Sequence, residues 1–258
     1  MILRMDAAPL AGRTMVVTGA SSGIGRGIAV AAARAGADVA LTYYSNEAGA
    51  RETAALVEAS GCRAIVSRMD LGDPESIHAL ALSASTAFGR VDAWVNNAGA
   101  DIVTAGRDES SRLDKLDLLL RVDLRGTMIA SWNAAELMAA QSEGGVLINI
   151  SWDHVVSGMM GTNPQLYAAA KGGVMAFSKA LARSVAPRVR VNIVAPGWIE
   201  TAFGAGVDRE LYHSVAASTP MKRWGTPDDV AGAVVFLASP AASFLTGETI
   251  NVGGGVVM

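Results

Sequence analysis

The stretch TMVVTGASSGIG at 14–25 joins a short apolar run to three glycines and then to a helix-forming segment. The apolar, β-rich residues bounded by glycine predict a buried strand over 14–18. The helix that follows is expected over 23–35, stopped by Gly36. Between the two, Gly19 permits a tight turn, Gly23 lets backbone approach a pyrophosphate, and Gly25 lets the helix pack close to the strand. The first amides of a helix have no partners inside it and carry partial positive charge. A strand, a glycine-rich turn and a helix in that order suit the phosphates of a dinucleotide. The spacing is G-x-x-x-G-x-G rather than G-x-G-x-x-G, so the turn needs support from the rest of the chain.

Further along, apolar runs predict strands over 39–42, 64–69, 91–96, 146–150, 189–194 and 249–252. Helical stretches separate them: one ending near Gly61, one beginning at Asp73-Pro74-Glu75, and longer ones over 113–140, 165–186 and 226–238. Asp73 and Thr226 read as N-caps, each followed by Pro at the first helical position. Alternating strands and helices, with near-continuous apolar strands, imply an α/β chain. The expected fold is a doubly wound, mainly parallel sheet (a Rossmann fold) of about seven strands with helices on both faces. No linker or repeat divides it, so 1–258 reads as a single domain. Ligands in such sheets bind outside the carboxyl ends of the strands, where strand order reverses.

Composition narrows the function classes. The 258 residues are 51% hydrophobic and 17% charged, which excludes disorder. Twenty-one basic against 24 acidic side chains leave a net charge of −3, which argues against a nucleic-acid or polybasic membrane binder. One cysteine, Cys62, allows no internal disulfide and no cysteine-based metal cluster, and points to a reducing compartment, the cytoplasm. No apolar segment approaches the ~20 residues of a membrane span. The mean hydropathy of +0.32 is high for a soluble monomer and suggests that copies of the chain cover one another.

Four motifs in order then carry a resemblance. Thr18-Gly19-Ala20-Ser21-Ser22-Gly23-Ile24-Gly25 is followed by Asn96-Asn97-Ala98-Gly99, by Tyr167-Ala168-Ala169-Ala170-Lys171, and by Ala195-Pro196-Gly197 with Thr201. From Thr14 to Gly255 the chain resembles the short-chain dehydrogenase/reductase family, at its 3-oxoacyl-reductase-like end. The resemblance implies a nicotinamide cofactor. Its site would include Gly19, Ser21, Ser22, Gly23, Ile24, Gly25, Asn97, Ala98, Gly99, Tyr167, Lys171 (on the nicotinamide ribose), Pro196, Gly197, Ile199 and Thr201. It also places Asp70 against the adenine, with a solvated turn residue as the alternative, and adds Leu71 to the cofactor site. Family members selecting NAD carry an acid at the end of the second strand. Here Tyr43 stands there, and Tyr43, Ser45 and Asn46 are candidate hydrogen-bond donors to a 2′-phosphate. NADP(H) is therefore expected, with NAD the alternative. The arginines of many NADP-dependent members are missing, with Ser22 and Tyr44 in their places.

Tyr167 and Lys171 lie four residues apart on a helix, so both project from one face. Carbonyl reduction by hydride needs a proton at the oxygen. A neighbouring ammonium and a cationic nicotinamide favour tyrosinate, so Tyr167 is expected below its ordinary value of about 10, as acid in reduction and base in oxidation. No metal is called for. Two positions depart from the family pattern. In Asn149-Ile150-Ser151-Trp152-Asp153-His154, Trp152 replaces the second serine, the one that usually steadies the substrate oxygen. Ser151 is the first choice for that role, Asp153 the second, as in pteridine reductases, and His154 the third. Asp123 replaces an asparagine that links the lysine to a proton path, and its alternative is a cap at a helix kink.

The segment 199–225, with Phe203, Tyr212, Met221 and Trp224, corresponds to the family's substrate lid. Together with Trp152, Met159, Met160 and Trp198 it suggests a mostly apolar pocket. No Lys or Arg stands in 138–144, where reductases of carrier-bound substrates tend to be basic, so a small free carbonyl or alcohol is expected. No nucleic-acid or membrane partner is expected. The resemblance implies a homotetramer joined through 113–140, 165–186 and the last strand. A pteridine reductase is the alternative within the class, and a catalytically weak NAD(P)-binding sensor or scaffold the alternative outside it.

Overall fold

The computed structural model describes residues 8–104, 109–201, 204 and 206–258. Seven strands form one sheet: β1 (Thr14–Val17), β2 (Asp38–Tyr43), β3 (Ala64–Arg68), β4 (Ala93–Asn96), β5 (Gly145–Ile150), β6 (Val189–Pro196) and β7 (Thr249–Val252). Their order across the sheet is β3-β2-β1-β4-β5-β6-β7, and every pair is parallel. From β1 the chain winds outward through β2 and β3, then returns to start again at β4. The carboxyl ends of β1 and β4 therefore flank the switch point.

Successive side chains of a strand face opposite sides, and each side has its own core. Met15 and Val17 of β1, Val39 and Leu41 of β2, and Ile148 of β5 pack with α1 (Gly23–Arg34), α2 (Glu47–Glu58) and the late helix Pro227–Ala238. Val16, Ala40, Trp94 and Leu147 pack on the other side against α3 (Pro74–Phe88), Thr127–Ala139 and Thr162–Val185. This double cover is why the strands read as continuous apolar runs.

The structure changes two expected boundaries. β4 begins at Ala93 rather than at 91; Asp92, just before it, bonds the carbonyl of Thr14 through its amide and the amide of Thr14 through its carboxylate, both at 2.9 Å. The helix expected over 113–140 is three pieces: α4 (Arg112–Leu119), a π-helical segment (Leu120–Gly126) and α5 (Thr127–Ala139). A π turn takes one more residue per hydrogen-bonded loop and recurs at functional sites. This one carries Asp123. It closes at Gly126, where a Cβ would sit 2.2 Å from the carbonyl oxygen of Leu71. The remaining helices are α6 (Thr162–Val185), α7 (Arg209–Ser218) and α8 (Pro227–Ala238). α8 starts with a reciprocal cap in which Thr226 and Asp229 bond each other's backbone, and Arg223 pairs with Asp229. Among the described residues no helix is long and apolar enough to cross a membrane.

Candidate active site

The glycine turn after β1 is a cradle by construction. Gly19 and Gly23 have φ of +67° and +53°, where side chains are strained. A Cβ on Gly19 would lie 2.9 Å from the Cα of Ala98, and one on Gly25 would lie 2.2 Å from the carbonyl oxygen of Gly19. α2, α3, α4, α7 and α8 are each capped by a side chain, whereas Ser22 at the start of α1 makes no capping bond. The first amides of α1 thus keep their capacity for phosphate. These features fit the pyrophosphate of a nicotinamide dinucleotide. Thr201 lies against Gly23, closing the turn from the far side of the cleft.

Thr18, which the motif reading did not single out, fastens this turn to the next. Its Oγ1 accepts from the amides of Asn97 and Ala98, both at 3.0 Å. Asn97 Nδ2 donates back to the carbonyls of Thr18 and Gly19 at 2.9 and 3.2 Å. Arg26 was also not read from sequence. It donates to the carbonyls of Ser21 and Gly49 and to Thr53 Oγ1, tying the cradle to α2. A half-buried arginine with such partners has no local sequence signature, because Gly49 and Thr53 come from another helix.

Of the residues expected around the adenosine, Asn46 spends its Oδ1 capping α2 at the amide of Gly49, 3.0 Å away. Tyr43 is raised above its ordinary value, first by burial and then by its bond to Glu47. Glu47 in turn receives Arg51. Ser45 is exposed. Asp70 turns one oxygen to the amide of Gly72, at 2.7 Å, and Leu71 is buried under Gly126.

Lys171 and Asp123 form a buried ion pair, Nζ to Oδ2 at 3.0 Å, with side chains 4% and 1% exposed. The second oxygen of Asp123 accepts from the amide of Ala100 at 2.7 Å. Gly99 leaves room for this carboxylate, since a Cβ there would lie 2.7 Å from its Oδ2. Lys171 also donates to the carbonyl of Ile150 at 3.4 Å, and its Nζ lies 5.5 Å from the ring centre of Tyr167. The π-helical segment, β5 and α6 thus bring Asp123, the Ile150 carbonyl, Tyr167 and Lys171 together.

The protein groups do not lower Tyr167 as the sequence suggested. Burial pushes the phenol above its ordinary value, and the opposing pull of Lys171 is offset in part by the charge of Asp123. Burial draws Lys171 down, but attraction to Tyr167 and to Asp123, with the hydrogen bond between the pair, outweighs it and holds the ammonium above the ordinary lysine value. The physical reason is first the burial of the phenol, and then the departure at position 123, where a carboxylate offsets part of the pull of Lys171.

The segment after β5 sorts its three candidates by environment. Ser151 is buried, and its hydroxyl donates to the backbone carbonyl of Lys171 at 2.9 Å. Asp153 is fully enclosed. Its Oδ1 lies 2.6 Å from Nδ1 of His154, and its Oδ2 has no partner. That oxygen is wedged against the backbones of Gly197 and Gly253, where a Cβ would lie 2.5 and 2.1 Å away. Burial raises Asp153, against the pull of His154. Trp152 stands edge-on to Tyr167 with ring centres 5.4 Å apart and stacks on His154 at 5.0 Å. His154 meets Trp198 at 6.4 Å, and Trp198 meets Trp224 at 5.3 Å.

In the lid, Trp224 is buried, donates to the carbonyl of Tyr212 and stacks on its ring, so both pack the lid itself. Met160 is exposed, and Phe203 lies outside the described residues. Ile199 bridges to Gly225 across the base of the lid, and Gly197 donates its amide to the carbonyl of Val252. Pro196 ends β6 opposite Val252.

Comparison with known proteins agrees with this geometry. The family model described as enoyl-(acyl carrier protein) reductase matches residues 19–257. The chain is 36% identical to an L-rhamnose 1-dehydrogenase (NAD(P)(+)) of a Sphingomonas species, over 96% of this chain and 97% of that one. It is also 36% identical to a 3-oxoacyl-[acyl-carrier-protein] reductase of Synechocystis, over 96% and 98%. Among solved structures, a 7α-hydroxysteroid dehydrogenase in complex with NADH and 7-oxo glycochenodeoxycholic acid superposes with a TM-score of 0.89. It is 30% identical over 99% of this chain and 98% of that one.

Proposed function

The chain belongs to the short-chain dehydrogenase/reductase family and acts on alcohol or carbonyl groups with a nicotinamide dinucleotide; on that premise we propose that it moves hydride between NADP(H) and a carbonyl or secondary alcohol of a small, mostly apolar molecule. The observation that carries this reading is the row Tyr167–Lys171–Asp123, its lysine and aspartate buried and its tyrosine half-buried, in a fold that also carries a glycine turn suited to a dinucleotide. When bound, the cofactor supplies or accepts the hydride. The chain supplies the proton. Tyr167 gives its phenolic proton to the carbonyl oxygen during reduction and takes it back during oxidation. Lys171 stabilises the tyrosinate so formed, and Asp123 keeps that lysine charged while anchoring the loop at Ala100. Trp152 and Trp198 give the pocket its apolar walls. The test is a screen of NADPH oxidation over ketones, diketones, sugars, steroids and pterins. Cofactor binding without turnover on any of them would favour the sensor reading instead.

Ser151 remains the proposed second contact to the substrate oxygen. Its hydroxyl must first leave the Lys171 carbonyl, at a cost of about 0.5–1.5 kcal/mol for one hydrogen bond. Asp153 is enclosed and paired with His154, which favours Ser151 over it and weighs against the pteridine reading. Ser151→Ala is therefore expected to lower kcat/KM on simple ketones more than Asp153→Asn, compared per folded molecule. The opposite ranking contradicts the assignment.

A homotetramer is also proposed. Leu113, Leu120 and Trp132 are exposed along α4, the π segment and α5, and Phe244 and Met258 flank β7 in the sequence and are fully exposed. Apolar surface of this kind marks interfaces. Light scattering at micromolar concentration should report four copies, and a monomer contradicts it.

A further inference from the structure

We propose that Arg68, at the end of β3, binds the 2′-phosphate of NADP(H) and supplies the cofactor selectivity that no arginine of the glycine turn or of the end of β2 provides. The inference rests on NADP(H) being the cofactor and adds the residue that recognises it.

The place of the phosphate follows from the cradle. The amide of Gly19 donates to Thr42 Oγ1 at 3.1 Å, and that of Ala20 to the Thr42 carbonyl at 2.8 Å. The glycine turn thus lies directly on the end of β2. A dinucleotide whose pyrophosphate sits on this turn carries its adenosine ribose one bond further out, over residues 43–46. A 2′-phosphate would therefore face that corner.

The polar groups of the corner itself are largely spoken for. Tyr43 bonds Glu47, Asn46 caps α2, and Glu47 pairs with Arg51, so the two charges of that pair cancel. Ser45 and the Nδ2 of Asn46 offer neutral donors only. Arg68 is different. The sheet register sets it opposite Tyr43. Its guanidinium then folds over the ring of Tyr44, with Cζ 5.5 Å from the ring centre, and Nε donates to the Tyr44 carbonyl at 3.3 Å. One edge of the guanidinium is thereby fixed in place. Arg68 is exposed and forms no ion pair with a carboxylate among the described residues. The nearest acid in sequence, Asp70, turns to the amide of Gly72. The corner therefore carries one uncompensated positive charge, with terminal N–H groups in the fork geometry that suits phosphate. Tyr44 serves as its platform, which gives a role to the residue that replaced the arginine expected after β2.

The test is direct titration of NADPH and NADH by fluorescence on the wild type, Arg68→Ala and Arg68→Lys. Adenosine 2′,5′-bisphosphate and adenosine 5′-monophosphate serve as competitors that differ only in the 2′-phosphate. The ratio of the two dissociation constants on one sample is independent of the folded fraction. The wild type should prefer the 2′-phosphorylated member of each pair. Arg68→Ala should weaken NADPH and the bisphosphate by about 10- to 100-fold, the scale of a charge-assisted hydrogen bond, and leave NADH and the monophosphate unchanged. Arg68→Lys should restore part of the loss. If the wild type prefers the 2′-phosphate and Arg68→Ala keeps that preference, the assignment of Arg68 is wrong while NADP(H) stands. If the wild type shows no preference, the cofactor reading falls and the role of Arg68 with it.

Discussion

Tyr167→Phe is expected to lower kcat on a proven carbonyl substrate by about 10²–10⁴-fold, the range of one general acid–base contribution. Cofactor affinity should barely change. The substitution removes a single oxygen. The ring still stands edge-on to Trp152 and beneath the Lys171 ammonium, so the local packing persists. In the proposed mechanism the phenol passes the proton at the reacting oxygen, Asp153 being enclosed by Gly197 and Gly253 and Ser151 serving as a hydrogen-bonding contact. Lys171→Ala should damage more. It deletes the cation that the tyrosinate needs and leaves Asp123 as an unpaired buried charge, a loss of about 3–5 kcal/mol of stability for a broken buried pair. Steady-state kinetics beside a cofactor titration separate the two variants. Wild-type kcat in Tyr167→Phe would assign the proton to another group.

The second large effect is expected at Asp123. Asn at this position can still accept the Ala100 amide but carries no charge. Hydride abstraction from an alcohol requires tyrosinate, so its rate rises with pH through the Tyr167 transition. Burial raises that transition, Lys171 lowers it, and Asp123 raises it again. Removing the carboxylate removes one raising influence and frees the ammonium to act on the phenol. The alkaline limb of alcohol oxidation should therefore move to lower pH in Asp123→Asn. Lys171 loses its partner in the same step, so the variant should also unfold at lower temperature than the wild type. A limb that stays in place, or moves to higher pH, would mean that Asp123 does not set the phenol's charge state.

Most of the sheet was legible in the chain. Strands covered on both sides must be apolar throughout, and the Val, Ile and Leu runs marked β1 to β7 to within a residue or two. The capped starts at Asp73-Pro74 and Thr226-Pro227 were equally clear, because caps are local chemistry. What escaped was non-local. The π segment cannot be told from ordinary helix by composition, since its cause is the meeting of Gly126 with Leu71 and of Asp123 with Ala100 and Lys171. The raised phenol followed from its burial, with a smaller contribution from the same carboxylate, and neither depth in the fold nor the distance to Lys171 is given by a spacing rule. Arg68 lies 25 residues from Tyr43 in sequence, and only the strand register sets them side by side. Two of the aromatic residues credited to the pocket, Tyr212 and Trp224, pack the lid instead, because a lid needs a core of its own.

The proton role of Tyr167 is tested most directly by following NADPH oxidation with the best carbonyl substrate in wild type and Tyr167→Phe side by side, with NADPH affinity measured on the same samples. The expected result is turnover in the wild type, its near loss in the variant, and equal NADPH binding in both. Equal turnover in both proteins, or NADPH binding with no carbonyl reduced by the wild type, would contradict it.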